Sequence, residues 1–126
     1  MKKLIYLIAA LSLTACSKTI EEKAALEAQE YTKKVCPTPF INNSRTDSAS
    51  FDKQTRTYTY YMTLRGKADN AEIIANNKKE LHQVQQQSLN NNPGLKKYKE
   101  AHFTFRFIYR SAKNPKEILL DDSFKY

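Results

Sequence analysis

The sequence predicts an α+β domain with two layers, in which a four-stranded, mostly antiparallel sheet carries helices on one face. Two segments alternate between apolar and polar side chains, as strands with one buried face do, and each belongs to a predicted hairpin. A helical pattern precedes each hairpin, which gives the order helix, hairpin, helix, hairpin. Of the 126 residues, the 111 that follow a predicted leader of 15 residues suit a single domain.

The first helix is predicted between Ile20 and Val35. Thr19 and Glu22 have the spacing of a capping box, in which the two side chains satisfy backbone N–H groups at the helix start. Pro37 follows and cannot continue a helix, because it lacks a backbone donor and restricts the residue before it. Apolar residues recur at helical spacing and predict one buried stripe: Ile20, Ala24, Ala28, Tyr31 and Val35.

The first hairpin is predicted over residues 46–64. A short strand ends at Phe51, and residues 52–55 form a polar connection. The residues from Arg56 to Leu64 then alternate. The apolar face of this strand carries Tyr58, Tyr60, Met62 and Leu64, and its opposite face carries Thr57, Thr59, Tyr61 and Thr63.

A second helix is predicted after Asp69, which is the expected N-cap, with Glu72 at the third helical position. The residues Asn90 to Gly94 end this helix, since they include Pro93. Four apolar residues cluster on one side of it, interrupted by Asn77, and predict its buried stripe: Ile73, Ile74, Leu81 and Val84.

The last hairpin begins with the strand from His102 to Arg110. A polar loop follows, and the chain returns from Glu117 to Tyr126, where Asp122 interrupts the apolar phase. The first strand places Phe103, Phe105, Phe107 and Tyr109 on one face and Thr104, Arg106, Ile108 and Arg110 on the other, and the return strand carries Ile118, Leu120, Phe124 and Tyr126 in phase.

The first 15 residues have the pattern of a signal peptide. Two lysines precede an apolar run of residues 4–13, which is too short to span a membrane because a spanning helix needs about 20 apolar residues. Leu13-Thr14-Ala15-Cys16 resembles the lipobox of bacterial lipoprotein precursors. The resemblance implies cleavage of residues 1–15, lipidation of Cys16 through a thioether and an amide-linked acyl chain, and an anchored domain over residues 16–126. The alternative is an ordinary cleaved signal with a chance cysteine.

The anchor has consequences for location and for the second cysteine. Ser17 stands where enteric lipoproteins retained in the inner membrane carry aspartate, so the resemblance implies the outer membrane, with the domain facing the periplasm. Lipidation of Cys16 leaves Cys36 without a partner for an intramolecular disulfide. We expect Cys36 to be structural, because the C-terminal end of a helix disfavours a thiolate; the alternative is an intermolecular disulfide.

The rest of the chain resembles a group of small, uncharacterised bacterial envelope proteins. Three stretches carry the resemblance: "SRTDSASF", "YTYYMTL" and "NPGLKKYKEAHFTFRFIYR". The group implies an envelope protein and supplies no catalytic residue.

The pattern of reactive side chains predicts no enzyme, metal or cofactor. Two glycines in the chain are too few for a phosphate-binding loop. His82 and His102 lack the spacing of metal ligands, and we expect both at solvent-exposed edges. Asp121 and Asp122 are neighbours in a strand and point to opposite faces, so they cannot act as a catalytic pair.

The basic composition favours a binding role. The formal net charge is +8, and many lysines and arginines lie in the C-terminal third. We do not expect an exported protein to bind nucleic acid. We expect its partner to be a protein, or an anionic lipid or polymer of the envelope. The alternatives are a solvated basic surface or a sheet face covered by the linker or a second copy; the oligomeric state is left open. The expected contact surface consists of Tyr61, Arg106, Ile108 and Arg110.

The sequence therefore predicts a lipid-anchored accessory or binding protein of the envelope. Two alternatives remain at this stage. One is a small periplasmic hydrolase that acts on envelope material, and the other is an immunity-type inhibitor of a periplasmic toxin.

Overall fold

The computed structural model describes residues 18–126. The predicted signal peptide and Cys16 lie outside the described residues. Within the described part of the chain, no helix has the length and the apolar character needed to cross a membrane.

The observed order of elements confirms the predicted sequence of helix, hairpin, helix, hairpin. Short 3-10 turns precede the second and the fourth helix, at Gly66–Ala68 and Pro93–Leu95. The helices and strands are α1 (Ile20–Lys34), β1 (Ser44–Asp52), β2 (Thr57–Leu64), α2 (Ala71–Asn76), α3 (Lys78–Asn90), α4 (Lys96–Glu100), β3 (Thr104–Ser111) and β4 (Ile118–Lys125).

The four strands form one sheet in the order β1-β2-β3-β4. Both hairpins are antiparallel, whereas β2 and β3 run parallel, with Thr57 beside Thr104 and Leu64 beside Ser111. A parallel pair requires a crossover connection, which α2, α3 and α4 provide. The prediction of a mostly antiparallel sheet is confirmed, and its parallel pair lies at the centre.

Helix α1 begins and packs as its sequence predicts except at its last residue: the helix ends at Lys34, and Val35, predicted to be buried, is the C-cap beyond the last turn and is 51% exposed. The Thr19 hydroxyl oxygen accepts a hydrogen bond from the backbone N–H of Glu22 at 3.1 Å. Ala24 and Ala28 are fully buried, and their small side chains allow the helix to lie close to β1. The Thr32 hydroxyl donates to the carbonyl of Ala49 at 2.9 Å, and its oxygen accepts from the N–H of Ala49 at 2.8 Å. These bonds satisfy backbone groups at the outer edge of β1, which would otherwise be unpaired.

The core lies between the helices and one face of the sheet. Tyr98, Phe103 and Phe105 are its largest fully buried side chains. A smaller second cluster consists of Leu64, Ile74 and Leu120. Both clusters lie within residues 18–126, so this part of the chain contains a complete hydrophobic core.

The second predicted helix is interrupted, and its predicted cap is wrong. Asn70, not Asp69, is the N-cap: its side-chain oxygen accepts from the N–H groups of Glu72 and Ile73 at 3.0 and 3.1 Å. The Asp69 carboxylate instead accepts from the backbone N–H of Lys113 at 3.0 Å. At Asn77 the backbone leaves the helical region, and the side-chain amide donates to the carbonyl of Ile73 at 2.7 Å. Asparagine competes in this way with helical hydrogen bonds, which separates α2 from α3.

The predicted buried stripe of the second helix is also wrong. Ile74 is 5% exposed, but Ile73, Leu81 and Val84 are 45%, 37% and 59% exposed. The four side chains do lie together as predicted, but they line an apolar surface cavity, and only Ile74 reaches a buried cluster, with Leu64 and Leu120. Helix α3 buries Leu89 in their place.

One side chain of the return strand differs from its predicted phase. A bulge between Tyr109 and Arg110 pairs Ile118 with Arg110, which places Ile118 on the opposite sheet face at 49% exposure. An extra residue in one strand reverses the alternation beyond it, because side chains in a strand have a period of two.

The buried tyrosines predict unfolding in alkali. Burial, with a smaller effect of the Asp122 carboxylate, raises the pKa of Tyr109 from about 10 to about 12. Burial raises the pKa of Tyr58, Tyr60 and Tyr98 in the same direction. The folded protein therefore keeps protons that the unfolded chain releases, so stability is present below about pH 10 and falls as the pH rises through about 12. We expect tyrosinate absorbance and loss of circular dichroism to rise together in this range. Titration of all tyrosines near pH 10 with unchanged dichroism would contradict the prediction.

Candidate functional site

A groove lies on the helical side of the sheet, above the two central strands. Helix α1 packs over β1, whereas α2 and α3 pack over β4, so both edge strands are covered. Over the centre, Leu95 and Tyr98 cover only one end of β2 and β3. We call the remaining gap the tyrosine groove. Residues of α1 and its C-cap form one wall: Glu27, Glu30, Tyr31, Lys34 and Val35. Residues of α3 and of the turn after it form the other wall, namely Gln85, Ser88, Leu89, Asn92, Gly94 and Leu95, and the sheet forms the floor with Thr46, Tyr58, Tyr60, Met62 and Phe107.

The tyrosine groove is large enough for several side chains of a partner. It has two parts, of about 440 Å³ and about 200 Å³. The two parts are neighbours, because Tyr31, Tyr60, Asn92 and Leu95 line both. Ligand clefts in proteins commonly have volumes of about 300–1,000 Å³.

The spacing of the helices restricts what can enter the groove. Three strand spacings of about 4.8 Å place β1 and β4 about 14 Å apart. A helix with its side chains is about 10–12 Å wide, so helices of ideal width centred on these strands would leave a narrow opening between them. We expect the groove to admit one row of side chains, while the backbone that carries them stays outside.

The floor of the groove is a rigid aromatic platform. The rings of Tyr58 and Tyr60 are stacked with centroids 5.1 Å apart, and Tyr60 stacks on Phe107 at 4.9 Å. Tyr31 meets Tyr60 edge-on at 6.5 Å. Burial raises the pKa of Tyr60 and keeps its hydroxyl neutral, so it can donate or accept a hydrogen bond. Aromatic side chains with a polar tip are favoured at protein interfaces.

The rim of the groove combines an exposed apolar residue with acidic groups. Val35, the C-cap of α1, is 51% exposed. The Glu27 carboxylate accepts a hydrogen bond from the hydroxyl of Tyr98 and lies 3.7 Å from the ammonium nitrogen of Lys97. Glu30 adds a second carboxylate to the same rim.

The contact surface predicted from the sequence lies on the opposite, open face of the sheet. In the parallel register Tyr61 is beside Ile108, Thr59 is beside Arg106 and Thr63 is beside Arg110. The structure thus brings the predicted residues onto one face, and their role in binding stays a prediction.

The predicted contact residues on this open face differ in how free they are to contact a partner. Arg106 donates from Nε and Nη2 to the two carboxylate oxygens of Asp121, at 2.8 and 2.5 Å. This pairing lowers the pKa of Asp121 and raises that of Arg106. Ile108 is only 6% exposed and Tyr61 is half-buried. Arg110 donates to the carbonyl of Pro115 at 3.4 Å and borders a separate cavity.

A histidine–aspartate pair is the polar feature that sequence reasoning missed. Nδ1 of His82 lies 2.9 and 2.8 Å from the carboxylate oxygens of Asp122, and the imidazole stacks on Phe124 at 4.3 Å. The available signal was Asp122 itself, because a carboxylate in the apolar phase of a strand requires a partner. Among residues 18–126, no serine or cysteine side chain hydrogen-bonds to this pair, and no three metal-ligating groups are close enough to hold an ion.

Cys36 is a free, half-buried thiol. Burial raises its pKa, with the Tyr31 hydroxyl acting in the opposite direction. A raised pKa disfavours the thiolate, which is the reactive form of cysteine.

Comparison with known proteins relates the chain to one family and one fold. A family described as a domain of unknown function, DUF8479, matches residues 19–120. No curated protein matches the sequence.

Three solved structures share the fold. The first is of a protein of Pseudomonas aeruginosa described as secreted, with a TM-score of 0.65 and 10% identity over 86% of this chain and 95% of that one. The second is the pilotin EpsS of the Vibrio vulnificus type 2 secretion system, with a TM-score of 0.61 and 12% identity over 82% and 84%. The third is the type II secretion system pilotin AspS of Vibrio cholerae, with a TM-score of 0.57 and 14% identity over 82% and 86%. At these identities the likeness is one of fold.

Proposed function

From the premise that this chain belongs to the DUF8479 family, and from its fold, we propose that it is a lipid-anchored accessory protein of the bacterial envelope that binds a protein component of a secretion assembly. The names of the two pilotins with this fold support the secretion assembly as the setting. The observation that carries the binding role is the open, aromatic tyrosine groove. The role requires no catalysis.

The proposed anchor would hold the groove at a defined height above the membrane. Three residues, Ser17 to Thr19, separate the lipidated Cys16 from the start of α1. At 1.5 Å per helical residue, the stretch of α1 that lines the groove, from Glu27 to Val35, lies about 10–22 Å from the helix start. A domain whose α1 stands normal to the periplasmic surface of the outer membrane would present the groove beyond the lipid headgroups.

The shape of the groove defines the segment that would bind. One row of apolar side chains fits the gap, as an amphipathic helix provides with residues at i, i+3 or i+4, and i+7. The rim carboxylates of Glu27 and Glu30 are accompanied by Lys34, and Glu27 is paired with Lys97, so the apolar row and not the charge defines the occupant. We therefore propose an amphipathic protein segment with an apolar row as the occupant.

Photo-crosslinking in cells of the native host tests this function. A photoreactive amino acid replaces Val35 on one wall of the groove or Ser88 on the other. The matched controls are Leu26 on α1 and Val84 on α3, which are exposed at 42% and 59% and lie outside the groove. We expect the same single protein adduct from positions 35 and 88 and none from positions 26 and 84. Equal adducts from all four positions, or none from 35 and 88, would refute the proposal.

A charge at the groove rim is expected to reduce binding. Val35→Glu places a carboxylate where an apolar row would be buried, and an uncompensated polar group costs about 1–3 kcal/mol. We expect the adduct from position 88 to fall about tenfold in the Val35→Glu background. Leu26→Glu adds the same charge to the same helix and is expected to leave the yield unchanged. A Val35→Glu yield equal to that of Leu26→Glu would argue against occupation of the groove.

A further inference from the structure

A second cavity, of about 470 Å³, lies on the open face of the sheet, opposite the tyrosine groove. Three arginines line it: Arg45 from β1, Arg65 directly after β2, and Arg110 from β3. Only Arg110 was singled out by the sequence, because the three residues are distant in the chain. We call this cavity the arginine pocket.

The fold holds the three guanidinium groups around one site. The sheet register aligns Arg45, Thr63 and Arg110 in one row across β1, β2 and β3. The backbone N–H of Arg65 donates to the carbonyl of Asn43 at 2.9 Å, which fixes the start of the loop after β2. The aromatic ring of Phe40 lies between two cations: the guanidinium carbon of Arg65 is 4.0 Å from its centroid, and that of Arg45 is 4.8 Å away. Such stacking orients arginine while its N–H donors stay available.

The positive charge of the arginine pocket is compensated only in part. The Asp47 carboxylate accepts from Nε of Arg45 at 2.8 Å and from the hydroxyl of Thr63. Within residues 18–126, no carboxylate lies within 4.0 Å of a guanidinium nitrogen of Arg65 or Arg110. Two guanidinium charges on one cavity repel each other, and a bound anion would relieve that repulsion.

We propose that the arginine pocket binds a phosphate monoester group. Two uncompensated guanidinium groups match the charge of a phosphate monoester, which is about −1.5 to −2 at neutral pH, whereas a carboxylate would neutralise only one of them. The guanidinium fork places two N–H donors toward two phosphate oxygens, and this geometry makes arginine the preferred residue for phosphate recognition. The site is separate from the tyrosine groove, so this proposal does not depend on the proposed function.

Two sources could present the same chemical group. One is a soluble phosphate monoester, and the other is the phosphate headgroup of an envelope lipid. The shared chemistry is a terminal phosphate with two negative charges, and the test below separates the sources.

Calorimetric titration of the full chain, purified in a non-ionic detergent, tests the site with inorganic phosphate as the probe in a chloride buffer. We compare the unaltered protein with Arg65→Gln, Arg110→Gln and Arg106→Gln. Arg106 is the matched control, because it lies on the same strand and face as Arg110 but outside the arginine pocket, paired with Asp121. We expect saturable binding that weakens about tenfold or more in each of the first two variants and is unchanged in Arg106→Gln, since a charge-assisted hydrogen bond contributes about 1.5–3 kcal/mol.

Absence of saturable phosphate binding, or equal weakening in Arg106→Gln and Arg110→Gln, would overturn the proposal, because both results indicate only diffuse attraction to a basic protein. Arg65 is exposed in a loop, so Arg65→Gln tests the pocket even where Arg110→Gln lowers stability. Because the proposed acyl chains would hold the full chain on any vesicle, the source is assigned in the same calorimetric assay with soluble short-chain phosphatidic acid and with glycerol 3-phosphate as probes. Tighter binding of the phosphatidic acid that depends on Arg65 and Arg110 identifies a lipid headgroup, and equal binding of the two probes identifies a soluble monoester.

Discussion

Phe105→Ala is expected to lower the free energy of unfolding by about 3–5 kcal/mol. Phe105 is fully buried on a central strand, stacks on Tyr58 with centroids 6.2 Å apart and meets Tyr126 edge-on at 5.7 Å. Truncation to alanine removes this apolar area from the core and leaves a cavity that the rigid sheet cannot close. Domains of this size have total stabilities of about 5–15 kcal/mol, so the variant would lose a large fraction of its stability.

Urea denaturation followed by circular dichroism measures this loss. Val84→Ala is the matched control, because Val84 is 59% exposed and such substitutions usually change stability by less than about 0.5 kcal/mol. Similar unfolding midpoints for the two variants would mean that the aromatic layer under the helices does not form the core.

Cys16→Ser is expected to abolish lipid attachment completely, since a hydroxyl cannot form the thioether. Two or more acyl chains are needed for stable anchoring of a protein at a bilayer. We expect the variant to incorporate no labelled palmitate and to keep the first 15 residues, because the resemblance to lipoprotein precursors implies that cleavage follows lipidation.

Cys36→Ser serves as the matched control, because it removes the other cysteine of the chain and leaves the predicted lipidation site intact. It is expected to incorporate palmitate as the unaltered chain does. Labelling of Cys16→Ser, or loss of label in Cys36→Ser, would show that the predicted anchor is wrong.

The strands could be predicted well because their signal is local. The residues Thr57 to Leu64 alternate with a period of two, and one face of that alternation faces the core. The bounds of helix α1 could be predicted equally well, since Thr19 and Pro37 mark its two ends in the sequence. Both cases depend on residues within one element.

Other features of the fold depend on contacts between elements. The parallel pairing of β2 with β3 follows from the path of the crossover, which no local pattern specifies. The break at Asn77 depends on a side-chain hydrogen bond that competes with the helix, and a single asparagine inside an apolar pattern does not reveal it. The bulge that turns Ile118 outward is a property of the β3–β4 pair.

The candidate sites were the least predictable features, because each is formed by distant residues. The sequence assigned Tyr60 and Met62 to the core, and they do pack against it, but they also form the floor of a groove. That groove exists because helices cover the edge strands and leave the centre open. The arginine pocket likewise joins three positions from three strands or their ends.

The central claim is that the tyrosine groove receives apolar side chains of a protein partner. Met62 lies in its floor and is the only methionine after residue 1, so ¹³C-methyl methionine labelling of the processed chain gives one resonance from the groove. We expect this resonance to shift when the segment captured at position 35 is added, and to stay in place with the Val35→Glu variant. Binding of the segment to the unaltered chain with no change in the Met62 resonance would contradict the account.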